Sequence, residues 1–169
     1  MRNNIYPNSW NIIYPNSWNV TTRSFYMTKQ EYMDMYDVVG VAMEVYNTLG
    51  RSLDEHIYQE AFAIETNMRG MDVEREKKLS LTYKGIELKK VFFADFYYKG
   101  IIIEFKSVQE LASEHRAQLL NYMRISNKNR GILFNFGETN LHSERYLYRP
   151  QEDDFVLLTH DNYRLYITD

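Results

Sequence analysis

The stretch that decides the reading is Ala94-Asp95-Phe96-Tyr97-Tyr98-Lys99-Gly100-Ile101-Ile102-Ile103-Glu104-Phe105-Lys106. Two runs of aromatic and β-branched residues flank Lys99-Gly100, and a two-residue loop ending in Gly favours a tight β-hairpin. With Tyr98 facing Ile101, paired positions place Asp95 directly across from Glu104, and opposed Cβ atoms on one sheet face lie about 5 Å apart. Side chains alternate along a strand, so Glu104 and Lys106 share that face while Ile103 and Phe105 point to the other. Two facing carboxylates destabilise a sheet, and a divalent cation between them turns the repulsion into a binding site. Hard oxygen donors of this kind suit Mg²⁺ or Mn²⁺ rather than zinc. Lys106 beside such a metal can orient a water or neutralise charge on a phosphate undergoing attack. The bland alternative is an Asp-Glu-Lys ladder on a solvated sheet face. Against it stands the run Gly-Ile-Ile-Ile-Glu-Phe-Lys, which reads as a strand buried on both sides, where a carboxylate needs partners.

Working outward, Thr28-x-x-Glu31 is a capping box and Gly50 a helix stop. Tyr32, Met35, Val39, Ala42, Tyr46 and Leu49 recur between them at helical spacing, which predicts a helix over 29–49. Ser52-x-x-Glu55 reads as a second capping box opening a helix that ends at Gly70. The period then changes to two, with strands expected at 76–83, 86–98 and 101–107, the first two joined across Lys84-Gly85. A helix over 110–125 follows, then a buried strand at Gly131–Gly137 and a short one at 144–148. Residues 155–159 and 163–167 read as a terminal hairpin across His160-Asp161-Asn162. The order α-α-β-β-β-α-β-β describes a mixed α/β sandwich rather than a doubly wound parallel sheet.

The organisation expected is an arm over 1–27, a domain over 28–149 and a C-terminal extension over 150–169. In the arm, Ile5–Asn11 recurs unchanged as Ile13–Asn19, each copy carrying one Trp, Trp10 and Trp18. Two copies are too few for a solenoid.

The 169 residues suffice to bury a core, and 15 Tyr with 9 Phe suit strands and stacking surfaces. Without cysteine there is no disulfide, thiolate metal site or cysteine nucleophile. No apolar run long enough to cross a membrane and no signal-peptide pattern is present, so a cytoplasmic location is expected. A net charge of −3 excludes a general polyanion binder on bulk charge alone. The charge is uneven: seven Lys/Arg against four Asp/Glu over 69–90.

These residues resemble the GxxExxY family, placed in the PD-(D/E)XK nuclease superfamily. The resemblance runs from Val38 to Tyr146 and rests on Ala42-Met-Glu44-Val, Leu49-Gly50, Glu55-His-Ile-Tyr58, Tyr83-Lys-Gly85, Ala94-Asp95, Ile103-Glu104-Phe-Lys106, Ala117-Gln118-Leu-Leu-Asn-Tyr122 and Asn135-Phe-Gly137. It implies a PD-(D/E)XK-like three-layer sandwich, a central mixed sheet flanked by helices, with Asp95, Glu104 and Lys106 in catalytic positions. Gln118-x-x-x-Tyr122 is similar to the RecB-type branch, in which this helix orders the site, so Gln118 is expected to bond Lys106 or a substrate phosphate. His115 and Tyr122 can share its face. Glu44 is a further metal-ligand candidate or a helix-surface residue, and Glu55 a ligand or only a cap. The naming motif would put Gly at position 52, where this chain has Ser52. The function implied is a Mg²⁺- or Mn²⁺-dependent nuclease hydrolysing phosphodiester bonds in nucleic acid, DNA above all. The rivals are a non-catalytic nucleic-acid- or protein-binding module on the same fold, and a structural protein whose acids never bind metal. Oligomeric state is not readable from the sequence.

Overall fold

The computed structural model describes residues 26–168, so the duplicated segment and both tryptophans lie outside the described residues. A short strand β1 (Met27–Thr28) leads into helix α1 (Lys29–Leu49) and then α2 (Glu55–Met68). Strands β2 (Glu74–Tyr83), β3 (Ile86–Tyr98) and β4 (Ile101–Lys106) follow, then α3 (Ser113–Ser126). Strands β5 (Arg130–Asn135), β6 (His142–Arg149) and β7 (Asp154–Leu158), a 3₁₀ turn (Tyr163–Tyr166) and β8 (Ile167–Thr168) complete the chain.

The six-stranded sheet has the order β2-β3-β4-β5-β6-β7. It is mixed: β4 and β5 are parallel, and α3 is the crossover between them, while every other neighbouring pair is antiparallel. Helices α1 and α2 cover one face, where Met35, Val38, Ala42, Tyr58 and Phe62 meet Phe96, Ile103, Phe105 and Phe134. Helix α3 covers the other, packing Leu119, Leu120 and Met123 on Ile102 and Leu133. A Cβ at Gly131 would stand 2.4 Å from the Met123 sulfur, so a side chain there would force Met123 and Leu119 to shift where α3 seats on β5. Each large side chain enclosed in this way contributes about 1.5–3 kcal/mol. The three layers and their order are those expected.

Helix α1 begins and ends where the sequence places it. The Thr28 hydroxyl accepts from the Glu31 amide at 3.2 Å, and the Glu31 carboxylate accepts from the Thr28 amide at 2.8 Å. Its buried stripe runs through Met35, Val38, Val41, Ala42 and Val45, while Leu49 is exposed. Both hairpins turn where expected, with Lys84-Gly85 and Lys99-Gly100 all at positive φ (50°, 82°, 44° and 89°), the geometry of a type I′ turn.

Two expectations fail. The second capping box does not form: α2 starts at Glu55 after Asp54, and Ser52 sits in the left-handed region at φ 65°, where it cannot serve as an N-cap. Nor do 155–159 and 163–167 form a hairpin. Strand β7 instead pairs with β6, extending the main sheet, and β8 runs parallel to β1. Alternation marks a strand without naming its partner. Among the described residues no helix is long and apolar enough to cross a membrane.

Candidate active site

The centre of the site is the point where β3 leaves β4. Their ladder pairs Tyr98 with Ile101, Tyr97 with Ile102 and Phe96 with Ile103, the register expected, and there it ends. At the next step the two acids replace the backbone bonds. Asp95 Oδ2 accepts from the Phe105 amide at 2.7 Å, and Glu104 Oε1 accepts from the Asp95 amide at 3.2 Å. Asp95 and Glu104 therefore meet across the hairpin, with their carboxylates wedged where the ladder would continue.

Glu104 is fully buried in β4, between Ile103 and Phe105, which are equally enclosed. Such a carboxylate is costly unless each oxygen is bonded. Its second oxygen, Oε2, accepts from Gln118 Nε2 at 2.9 Å and lies 3.8 Å from Lys106 Nζ. Gln118 projects from α3 and also approaches the Tyr122 hydroxyl at 3.4 Å, while the Tyr122 ring packs against Phe92 of β3. Helix α3 thus reaches the acid through one amide, backed by an aromatic pair.

Burial pushes the Glu104 carboxyl well above the ordinary range, the neighbouring Asp95 charge adds to the rise, and Lys106 with the Asp95 amide opposes it. Burial likewise raises Asp95, against the Phe105 amide and Lys106. Glu55, at the first turn of α2, is raised by burial and by Asp95, with Lys106 and His56 opposing. The three acids and Lys106 form one electrostatic unit. Glu55 Oε1 also accepts from the buried Gln59 at 3.4 Å. Glu55 is accordingly not a cap.

Other candidates lie elsewhere. Glu44 is exposed on α1, 3.5 Å from the Thr48 hydroxyl of its own helix, and does not join the cluster. Tyr58 is buried against Phe136, its hydroxyl donating to the Gly50 carbonyl at 2.7 Å and accepting from the Leu53 amide at 3.0 Å. It braces the loop before α2 and reaches no acid. His115 Nδ1 accepts from the Ala112 amide at 3.0 Å and so caps α3. Three cations on and after α3 are engaged internally: Arg116 with Glu144, Arg124 with Asp153, and Arg130 with Glu31. Sequence reasoning singled out neither the role of Gln59 nor that of His56, which shows no ligand spacing and reads as a surface residue. The one available signal was their place on α2, four and one residues after Glu55 respectively.

Beside the acids, a cleft of about 310 Å³ opens between Glu55, Ser52 and the β4–α3 loop at Ser107 and Gln109. That loop is held by Asn135, whose side chain accepts from the Val108 amide and donates to the Val108 carbonyl, both at 2.9 Å. A Cβ at Gly137 would stand 2.1 Å from the Val108 carbonyl oxygen, so the Asn135-Phe136-Gly137 run admits the loop only because residue 137 is glycine.

Among the described residues no group of three or more His, Asp or Glu side chains is gathered tightly enough to enclose a metal ion. The donor set still fits Mg²⁺ or Mn²⁺, which takes one or two carboxylates and completes its shell with water and substrate oxygens. Asp95 Oδ1 accepts no hydrogen bond among the described residues, and burial holds the carboxyls of Asp95, Glu104 and Glu55 above their ordinary range despite Lys106.

A search of curated proteins found no match. Among solved structures, that of SSO0001 aligns at 14% identity over 68% of this chain and 78% of its own, with a TM-score of 0.38. The family model of the PD-(D/E)XK nuclease superfamily matches residues 33–146, a span that holds Glu55, Asp95, Glu104, Lys106 and Gln118. With that match covering most of the chain, the protein belongs to the PD-(D/E)XK nuclease superfamily.

Proposed function

We propose that this protein is a Mg²⁺- or Mn²⁺-dependent nuclease of the GxxExxY branch, hydrolysing phosphodiester bonds in DNA. The observation that carries the reading is the meeting of Asp95, buried Glu104 and Lys106 where the β3–β4 ladder ends, with Glu104 tied to Gln118 at 2.9 Å. A divalent cation, when bound, supplies a Lewis acid for the phosphate and lowers the pKa of a water. Asp95 and Glu104 are the oxygen donors that hold it, and Glu55 adds a third negative charge from α2. Gln118 keeps Glu104 in its orientation, and the Asp95–Phe105 bond fixes the opposing carboxylate. Lys106 Nζ places a fixed positive charge beside Glu104, where negative charge gathers on the phosphate oxygens during attack by water. Its low exposure removes the reorganisation that a solvated lysine would require.

The test is cleavage of labelled single- and double-stranded DNA and RNA in Mg²⁺ or Mn²⁺, with Asp95→Asn and Glu104→Gln beside the wild type. Metal-dependent cleavage of DNA, abolished in both variants, is the expected result. A wild type that binds nucleic acid tightly and cuts none of it is a binding module. One that neither cuts nor binds ends the nucleic-acid reading.

A further inference from the structure

Strands β2 and β3 are much longer than their neighbours. Only residues 96–98 of β3 are paired with β4, so the remainder of β3 and its partner β2 run on as a two-stranded ribbon. Its base is propped on α3, where Leu79 is buried and Phe92 packs on Tyr122. Beyond that prop every residue from 82 to 90 is exposed. The seven residues Lys77–Tyr83 alone span about 23 Å. Register shifts between Ser80 and Thr82, which pair with Val91 and Glu87, so Leu88, Lys89 and Lys90 bulge opposite Leu81 and bend the ribbon.

The composition of this ribbon is one-sided. Between residues 77 and 91 it carries Lys77, Lys78, Lys84, Lys89 and Lys90 against Glu87 alone, with Lys77 tied at its base to Glu74 at 2.7 Å and the other four lysines reaching toward the tip. Glu87 faces Lys78 at 3.7 Å, with both side chains more than half exposed, a pairing worth little in water. The tip presents apolar surface, with Tyr83 62% and Ile86 72% exposed on either side of the Lys84-Gly85 turn. Residues 116–130 carry an equal excess, four cations and no acid, but there Arg116, Arg124 and Arg130 are each paired with an acid from elsewhere in the chain. The ribbon also departs from the sheet at Asp95, so any polymer lying across the acids passes its root.

We infer that the β2–β3 ribbon is a duplex-gripping arm, lying in a groove of double-stranded DNA while the scissile strand rests against Asp95 and Glu104. This rests on the function proposed above and assigns its substrate class. A two-stranded ribbon fits the width of the major groove. Lysines along it meet the phosphates that wall the groove, and the apolar tip meets base edges or wedges at a base step. A single strand offers no groove to grip.

The experiment is binding of a duplex and of one of its single strands in EDTA, so that nothing is cut, across a salt series. The variant is Lys84→Asn/Lys89→Thr/Lys90→Thr; Asn-Gly preserves the type I′ turn and Thr suits a strand, and an unchanged melting temperature certifies the fold. Each lost phosphate contact reduces the slope of log affinity against log salt by about 0.9, so three reduce it by nearly 3 and weaken duplex binding roughly 10²–10³-fold at 0.1 M salt. The expected result is that loss for duplex with single-strand binding little changed. Duplex affinity and slope equal to the wild type's overturn the arm while leaving the proposed function standing. Equal losses for both substrates overturn the duplex assignment. A wild type that binds neither overturns both readings together.

Discussion

The side-chain amide of Gln118 on α3 donates to the buried carboxylate of Glu104 on β4 at 2.9 Å. Among the described residues it is the one hydrogen bond from a side chain that Glu104 receives, the other coming from the Asp95 backbone. Gln118→Ala should therefore lower stability by about 1–3 kcal/mol, the cost of leaving a buried acceptor without its donor. Gln118→Glu should cost more, because it sets a second carboxylate against Glu104, and its deficit should shrink as pH is lowered. Urea midpoints of the two variants at neutral and acidic pH check both statements.

The raised carboxyls of Glu104, Asp95 and Glu55 make stability depend on pH in an unusual direction. Each group binds its proton more tightly folded than unfolded. In the window from the ordinary carboxylate range near 4 up to their raised values, the native state holds more protons, so these groups make stability fall as pH rises. Asp95→Asn removes one such group and a charge that adds to the burial-driven rise of the other two, so its melting temperature should decline less over that window. Mg²⁺ or Mn²⁺ should raise the melting temperature of the wild type at neutral pH, by binding linkage worth about 2.7 kcal/mol at a hundredfold excess over Kd, and should leave Asp95→Asn unmoved. An equal metal response in the variant places the ion elsewhere.

Lys106→Ala separates a catalytic charge from a binding one. With Nζ 3.8 Å from Glu104 and largely buried, Lys106 is placed to act on the reacting phosphate rather than on distant backbone. Cleavage should fall about 10²–10³-fold while duplex affinity in EDTA stays near that of the wild type. A loss of affinity with a salt slope smaller by about one is the opposite outcome and makes Lys106 a phosphate contact.

Ser52 holds φ 65° in the loop that walls the cleft. A non-glycine residue is strained there by about 1 kcal/mol, and the GxxExxY motif would have glycine. Ser52→Gly should raise stability by at most about 0.5 kcal/mol once the added freedom of the unfolded chain is set against it. Thermal and urea unfolding measure the gain.

The sequence was most legible where one local signal settles one local structure. Thr28-x-x-Glu31 and Gly50 bound α1 to the residue, and the two Lys-Gly pairs turn both hairpins. The Asp95–Glu104 meeting followed from a turn and a count. Legibility failed where a local pattern fits two outcomes. Ser52-x-x-Glu55 satisfies a capping box on paper, yet its first residue is left-handed, and Glu55 instead opens α2 and accepts from Gln59. Tyr58 and His115 sit in the right motif, but their bonds go to backbone, which spacing does not reveal. Strand β7 alternates like a strand and is one, although its partner was 145–149 rather than the segment after it.

The short parallel pair of β1 and β8 sets the order in which the chain assembles. Thr168 donates its hydroxyl to the Met27 carbonyl across 141 residues, and closing a loop of that length costs about 4 kcal/mol of chain entropy. Two residues of pairing do not offset this until the main sheet has already brought the ends together. The pair should therefore form after the folding transition state, and substitutions at Ile167 should accelerate unfolding while leaving the folding rate nearly unchanged.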